Sequence, residues 1–239
     1  MDTLKISTEN TKIIAHRGLS GIECENTAAA FAAAGNRKSY FGIETDVHKT
    51  ADGNYIIIHD DETGRVANKN LPVEKSLLSD LRKIRLNDKD GRTRGDLCLP
   101  TLDEYLRICK KYGKTGVLEL KNPFTKQDVE NIVGTVREEY DINKMIFISF
   151  DYQNLVFLRE KAEIQFLCSC EIDGALIEKL KKYNFGIDTY YSVLNESNIR
   201  LLHSHGIEIN CWTVDDPDRA QRLADWGVDY ITSNIIEGI

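Results

Sequence analysis

The chain has 239 residues, room for one large domain with a sizeable core. At 41% hydrophobic and 29% charged it has the composition of an ordinary globular protein. Its net charge of -7 makes it a poor generic binder of nucleic acid or anionic membranes, while still permitting a local basic spot for one phosphate.

The first residues, Met1-Asp2-Thr3-Leu4-Lys5, lack the apolar core of a signal peptide, and no apolar run approaches transmembrane length. Cysteines stand at positions 24, 98, 109, 168, 170 and 211, with no Cys-x-x-Cys. They read as reduced thiols of a cytoplasmic protein. Cys168-Ser169-Cys170 reads as alternate residues on a strand rather than a metal site.

Strand-like runs are predicted at 12–16, 41–48, 115–120, 144–149, 163–168, 184–188, 207–212 and 228–232. Amphipathic stretches lie between most of them: Thr27 to Ala34, Leu102 to Lys111, Lys126 to Tyr140, Asn154 to Lys161, Gly174 to Lys182, Ser197 to His205 and Pro217 to Trp226. Asn26 or Thr27 caps the first helix, and Gly35 stops it. Eight strands alternating with helices over this length predict a single α/β domain, a (β/α)8 TIM barrel. A doubly wound open sheet is the alternative, since periodicity alone does not show closure.

Two segments break the alternation. Asp52-Gly53 between apolar runs predicts a two-residue hairpin turn. In that register Ala51 pairs with Asn54 and Asp46 lies opposite His59. Residues 61–100 are polar, with basic residues and no clear strand, and read as an inserted cap over the mouth of the barrel.

Charged residues close several apolar runs. His16-Arg17 follow Ile13-Ile14-Ala15, and Glu44 and Asp46 bracket Thr45. His59 follows Ile56-Ile57-Ile58, and Glu119 and Lys121 follow Val117-Leu118. A core strand ends in charge only where something satisfies it. Barrel enzymes place their chemistry at these strand ends. Glu44 and Asp46 share one face of a strand, where two like charges call for a cation between them. With Glu119 they make an all-oxygen set suited to one hard divalent ion, Mg2+ or Ca2+. His16 and His59 are the general acid and base. His48 shares parity with Glu44 and Asp46 but lies nearer the turn, and ranks lower. His203-Ser204-His205 reads as a solvated helix end. Arg17 and Lys121 would take the phosphate. Trp212 would form an apolar wall for the substrate's carbon skeleton, with Phe150 and Tyr190 as weaker candidates.

The ordered set of motifs resembles the glycerophosphodiester phosphodiesterases. It runs Ala15-His16-Arg17-Gly18, Glu25-Asn26-Thr27, Glu44-Thr45-Asp46-Val47, Thr50-Ala51-Asp52-Gly53 and Ile58-His59-Asp60. It continues through Pro100-Thr101-Leu102, Leu118-Glu119-Leu120-Lys121 and Trp212-Thr213-Val214, covering nearly the whole chain. The resemblance implies a phospholipase C-like phosphodiesterase barrel with a small insertion after the His-Asp strand, matching 61–100. It implies a metal triad of Glu44, Asp46 and Glu119, acid–base histidines at His16 and His59, and phosphate contacts from Arg17 and Lys121. Glu25 and Asn26 would support the site margin. The implied reaction is hydrolysis of a glycerophosphodiester to sn-glycerol 3-phosphate and an alcohol. The partner would be that small molecule, with no nucleic acid and no stable membrane association, for a monomer or homodimer.

Other readings are a lysophospholipase D or sphingomyelinase D-like activity and, more remotely, a non-catalytic phosphate-binding barrel. The chain departs from the family at Arg65-Val66-Ala67-Asn68. It departs again where the usual Thr-Asp-x-Pro is Thr232-Ser233-Asn234-Ile235.

Overall fold

The computed structural model describes residues 2–239. A short strand β1 (Leu4–Ile6) precedes a barrel whose first strand is β2 (Lys12–Ala15). The next is β3 (Tyr40–Lys49), which turns into the antiparallel β4 (Tyr55–Ile57). Strands β5 (Thr115–Leu120), β6 (Met145–Ser149), β7 (Glu163–Cys168), β8 (Gly186–Tyr190), β9 (Ile209–Trp212) and β10 (Tyr230–Ser233) complete it. The parallel order runs β2, β3, β5, β6, β7, β8, β9, β10 and returns to β2, so the barrel is closed. This is the predicted (β/α)8 architecture, and closure removes the open-sheet alternative. After β10 the chain runs into β11 (Ile236–Gly238), which pairs in parallel with β1.

The helices are α1 (Ala28–Gly35), α2 (Leu78–Leu81), α3 (Leu102–Tyr112), α4 (Lys126–Glu139), α5 (Tyr152–Leu158), α6 (Gly174–Lys181), α7 (Glu196–Ser204) and α8 (Pro217–Asp225). Their starts are chemically marked. Thr125 Oγ1 accepts from the Asp128 backbone N–H at 3.2 Å, the reciprocal bonding of a capping box at α4. Thr27 caps α1 by accepting from the Ala30 N–H. Gly35 does not stop that helix; it is the last helical residue, and Asn36 closes the turn.

Alternation within the strands separates two apolar sets. Ile13, Ile43, Leu118, Leu120 and Phe147 face outward into the core shared with the helices. Ile14, Val117, Ile146, Ile148, Leu167 and Tyr230 fill the barrel's interior. Burying side chains of this size contributes roughly 1.5–3 kcal/mol each. Residues 61–100 contain α2 and two single turns, and they carry a cluster of their own. Ala67, Val73, Leu81, Ile84, Leu86, Leu97 and Leu99 pack on Ile56 and Ile58 of the β4 segment.

The hairpin differs from the sequence expectation by one residue. Val47 pairs with Ile57 and Lys49 with Tyr55, so Thr50 faces Asn54 and Asp46 lies level with Ile58. The loop is the three residues Ala51-Asp52-Gly53, with Gly53 at φ +80°. Ala51 gives its N–H to the Ser76 carbonyl instead of to the hairpin. Contact with the 61–100 segment thus selects the longer turn.

At the opposite, N-terminal end of the barrel, a cavity of about 600 Å³ is lined by Glu163, Glu208, Lys181 and His205, among others. Glu163 and Glu208 share a hydrogen bond there; burial, then Glu208, pushes the Glu163 carboxyl up to about 7. Between about pH 4.5 and pH 7 the folded chain therefore holds a proton that the unfolded chain has lost, and stability falls as pH rises through that window. Glu163→Gln is expected to raise the melting temperature at pH 8 but not at pH 4. The gain should stay under about 1 kcal/mol because solvent screens the pair. Thermal melts at the two pH values check this.

Candidate active site

The end of β2 and the two residues after it build one wall of the site. Arg17 and Gly18 both adopt left-handed backbone, φ +53° and +76°. Only glycine fits at 18, since a Cβ there would lie 2.6 Å from the Ala30 backbone. This sharp turn aims the Arg17 N–H at Glu44 Oε2, 2.8 Å away. The Arg17 guanidinium spans Glu25 Oε1 at 2.8 Å and Asp46 Oδ2 at 3.5 Å.

Glu44, Asp46 and Glu119 are buried on the interior faces of adjacent β3 and β5, where Asp46 is level with Glu119. Each offers an oxygen, and these oxygens lie within 4.8 Å of one another. Lys121 Nζ forms an ion pair with Glu119 Oε1 at 2.8 Å and lies 3.5 Å from Asp46 Oδ1, a buried oxygen with no hydrogen-bond donor. Burial and Asp46 hold the Glu44 carboxyl well above its ordinary value and push Glu119 up to about 7. Asp46, beside Arg17, Lys121 and His59, is driven the other way against the cost of its burial. Carboxyls that resist ionising together, one of them with a buried oxygen that no donor meets, are what a cation-binding triad presents without its ion.

His16 and His59 line the same small cavity as Arg17, Glu44, Glu119, Lys121 and Trp212, about 110 Å³ in volume. His16 Nδ1 meets Asn234 Oδ1 at 2.8 Å, and His59 Nδ1 meets Asp60 Oδ1 at 2.6 Å. His16 Nε2 lies 4.0 Å from Glu44 Oε2. Burial, then Arg17, pushes the His16 imidazole down to about 4, and burial also lowers His59. Trp212 packs edge-to-face on Phe150 at 5.9 Å and against Tyr190 at 5.7 Å, with Phe150 and Tyr190 exposed beside it. The structure thus brings together every residue singled out for the reaction.

The margin is also informative. Asn26 is not the helix cap. It has left-handed backbone, φ +54°, donates through Nδ2 to Asp46 Oδ2 at 2.7 Å, and accepts from Thr45 at 2.8 Å. It orients Asp46. His48 does not face the cavity; it is buried between Glu74, at 3.2 Å, and the His59 carbonyl, at 3.3 Å. His203 is not simply solvated, since its Nε2 meets Asp229 Oδ2 at 2.9 Å.

Sequence reasoning missed Arg65. Its guanidinium binds both oxygens of Glu25 and both of Asp60, so one side chain ties the partner of Arg17 to the partner of His59. Those bonds help hold Glu25 and Asp60 down to about 2. Its only sequence signal was a basic residue in a segment that matched the family poorly. Arg65→Gln is expected to cost under about 1 kcal/mol of stability, because the guanidinium is half-exposed. It should nonetheless lower kcat by about tenfold by loosening the partners of His59 and Arg17. Steady-state kinetics beside a thermal melt separates the two effects. Asp188, buried in the barrel's interior against the same cavity, was missed too. The strand predicted at 184–188 ends on it, but it stands alone there, with no second charged residue beside it to mark a site.

Carboxylates grouped for a hard cation, beside imidazoles and an arginine fork, suit the breaking of a phosphate ester. On a closed parallel barrel they define the phosphodiesterase class. Residues 16–237 match the Glycerophosphoryl diester phosphodiesterase family, and the chain belongs to that family. It is 28% identical over 253 residues to a glycerophosphodiester phosphodiesterase of Bacillus subtilis, covering 96% of this chain and 85% of the relative. The structure of an Oleispira antarctica phosphodiesterase in complex with the product sn-glycerol-3-phosphate superposes with a TM-score of 0.85 at 25% identity, covering 94% of this chain and 93% of that one. A glycerophosphodiester phosphodiesterase of Parabacteroides distasonis gives 0.73 at 28% identity, covering 95% and 94%.

Proposed function

We propose that this chain hydrolyses glycerophosphodiesters to sn-glycerol 3-phosphate and an alcohol, with His16 and His59 as the proton-transfer pair. The observation that carries this reading is that two histidines, each engaged through Nδ1, line one cavity with Glu44 and Glu119 of the acidic triad. Glu44, Asp46 and Glu119 would hold one divalent cation, Mg2+ or Ca2+, and the donor set fits it: all oxygen, buried and under-bonded. Bound there, the ion supplies Lewis-acid stabilisation of the phosphoryl oxygens.

Arg17 and Lys121 bind and orient the phosphate. Both stand within 3.5 Å of Asp46, so a phosphate would compete for cations already held at the site. One histidine takes the proton of the attacking hydroxyl, and the other gives one to the leaving alcohol. Trp212 walls the carbon skeleton. Glu25 and Asn26 support Arg17 and Asp46.

We read residues 1–239 as one catalytic domain and 61–100 as its cap, a reading supported by the separate apolar cluster of that segment and by Arg65. The six free cysteines suit a reducing, cytoplasmic setting. No helix among the described residues is long and apolar enough to cross a membrane.

The test is a substrate panel of glycerophosphocholine, -ethanolamine, -glycerol and -inositol, each with Mg2+ and with Ca2+. Lysophospholipids belong in it because Phe150 and Tyr190 expose apolar surface beside Trp212. Release of glycerol 3-phosphate from at least one diester is expected. Release from none would overturn the reading.

A further inference from the structure

The loop after β10 departs from the family's Thr-Asp-x-Pro, and this departure touches His16. We propose that Asn234 and Asp215 are positioning residues that lock His16 in the tautomer with Nδ1 protonated, leaving the Nε2 lone pair for the cavity. The inference rests on the reading of His16 as a proton-transfer group.

The lock begins at Asp215, in the loop after β9. Its Oδ1 accepts from the Asn234 backbone N–H at 2.8 Å and from Ser233 Oγ at 2.9 Å. Its Oδ2 lies 2.6 Å from the Asn234 side-chain amide. That amide can be turned two ways. With Nδ2 toward Asp215 the contact is a charge-assisted hydrogen bond. Turned over, it would set two acceptor oxygens against each other at the same distance.

Ser20 pulls the other way. Its hydroxyl lies 2.6 Å from Asn234 Oδ1 and 2.7 Å from the His16 carbonyl, so its one hydrogen serves only one of them at a time. The turned amide would donate to Ser20 and relieve this. A charge-assisted bond is roughly twice as strong as a neutral one, and the alternative is a repulsion, so the Asp215 contact decides the orientation. Asn234 then presents only its oxygen to His16. An amide oxygen can only accept, so His16 Nδ1 must carry hydrogen.

The consequence is a division of labour across the cavity. His59 is held by a carboxylate, Asp60, whereas His16 is held by a neutral amide that a carboxylate orients from behind. Ser233 stands where the family usually has its acid, and its hydroxyl donates to Asp215. The carboxylate of this loop therefore comes from the neighbouring one.

The test reads the tautomer directly. In enzyme labelled with 15N-histidine, the neutral His16 ring is expected to show a protonated Nδ1 and an unprotonated Nε2. Asp215→Asn should free the amide and mix the tautomers. It should lower kcat by about 10²-fold, with KM within about twofold, because the acid–base contribution alone is forfeited. The exchanged pair Asp215→Asn with Asn234→Asp restores an acceptor for Nδ1 and a donor behind it, and should recover most of kcat. An Nε2-protonated His16 in the wild type overturns the proposal, whether or not any variant folds. So does an Asp215→Asn enzyme with an unchanged tautomer and unchanged kcat. Failure of the underlying reading looks different: the tautomer would stand as described, but His16→Ala would turn over normally.

Discussion

His59→Ala and His16→Ala are each expected to lower kcat by ~10²–10⁴-fold, which is about 3–5 kcal/mol of transition-state stabilisation. KM should move little, because phosphate binding is proposed to rest on Arg17 and Lys121 rather than on either ring. The two variants differ in what they disturb. His59 is partly exposed, and Asp60 keeps Arg65 as a partner once the ring is gone. That variant should fold with near wild-type stability. His16 is more enclosed, and its loss leaves Asn234 Oδ1 with Ser20 alone. Some stability should go with it. The measurement is steady-state kinetics on the diester the panel selects, alongside thermal melts. Near-normal turnover by either alanine variant would remove that histidine from the proton-transfer role.

That both histidines could be named from the sequence reflects where they stand. A strand that runs apolar and ends in charge is visible without any knowledge of its neighbours. Four such strands, read together, carried the site: β2, β3, the β4 segment and β5. The barrel was legible for a related reason, since each of its strands is long enough to show alternation or an unbroken buried run. Strands β1 and β11 were not. Three residues each, with Leu4 and Ile6 the only large apolar side chains of the first, they show no period to read.

The hairpin shows a different limit. Asp52-Gly53 signalled a turn correctly, but its length was decided by Ala51 bonding to Ser76, a contact between segments. A one-residue change in register followed, and Asp46 came level with Ile58 instead of His59. His59 still reaches the cavity because it lies just past the paired residues. Arg65, Asn234 and Asp215 mark the remaining gap. Each acts through a partner distant in sequence, as when Arg65 reaches Glu25 forty positions away. Local pattern cannot show which loops of a barrel rim will touch.

Glu119→Gln is expected to lower kcat by about 10²–10³-fold, through weakened hold on the cation that would stabilise the reacting phosphate. The sharper expectation concerns stability, because charge at the triad is only partly balanced. Three carboxylates face two cations, and Arg17 is shared with Glu25 at the shorter distance. In the cation-free wild type at pH 8 the Glu119 carboxyl is ionised against Asp46, a state that burial and that neighbour both oppose. Glutamine removes the repulsion, so the cation-free variant should melt above the wild type. Added Mg2+ or Ca2+ should reverse the order. A bound ion stabilises the wild type by about 2.7 kcal/mol at a concentration of 100 Kd, and the variant should gain much less. The pH dependence has a fixed sign. Below about pH 7 the native site carries a proton on Glu119 that the ion must displace. Affinity should therefore fall as pH drops through 7, with protons released on binding, and titration calorimetry in two buffers of different ionisation enthalpy reads both. A wild-type melting temperature indifferent to either cation, together with activity that survives a chelator, would overturn the metal assignment and leave the triad as a buried charge network held by Arg17 and Lys121.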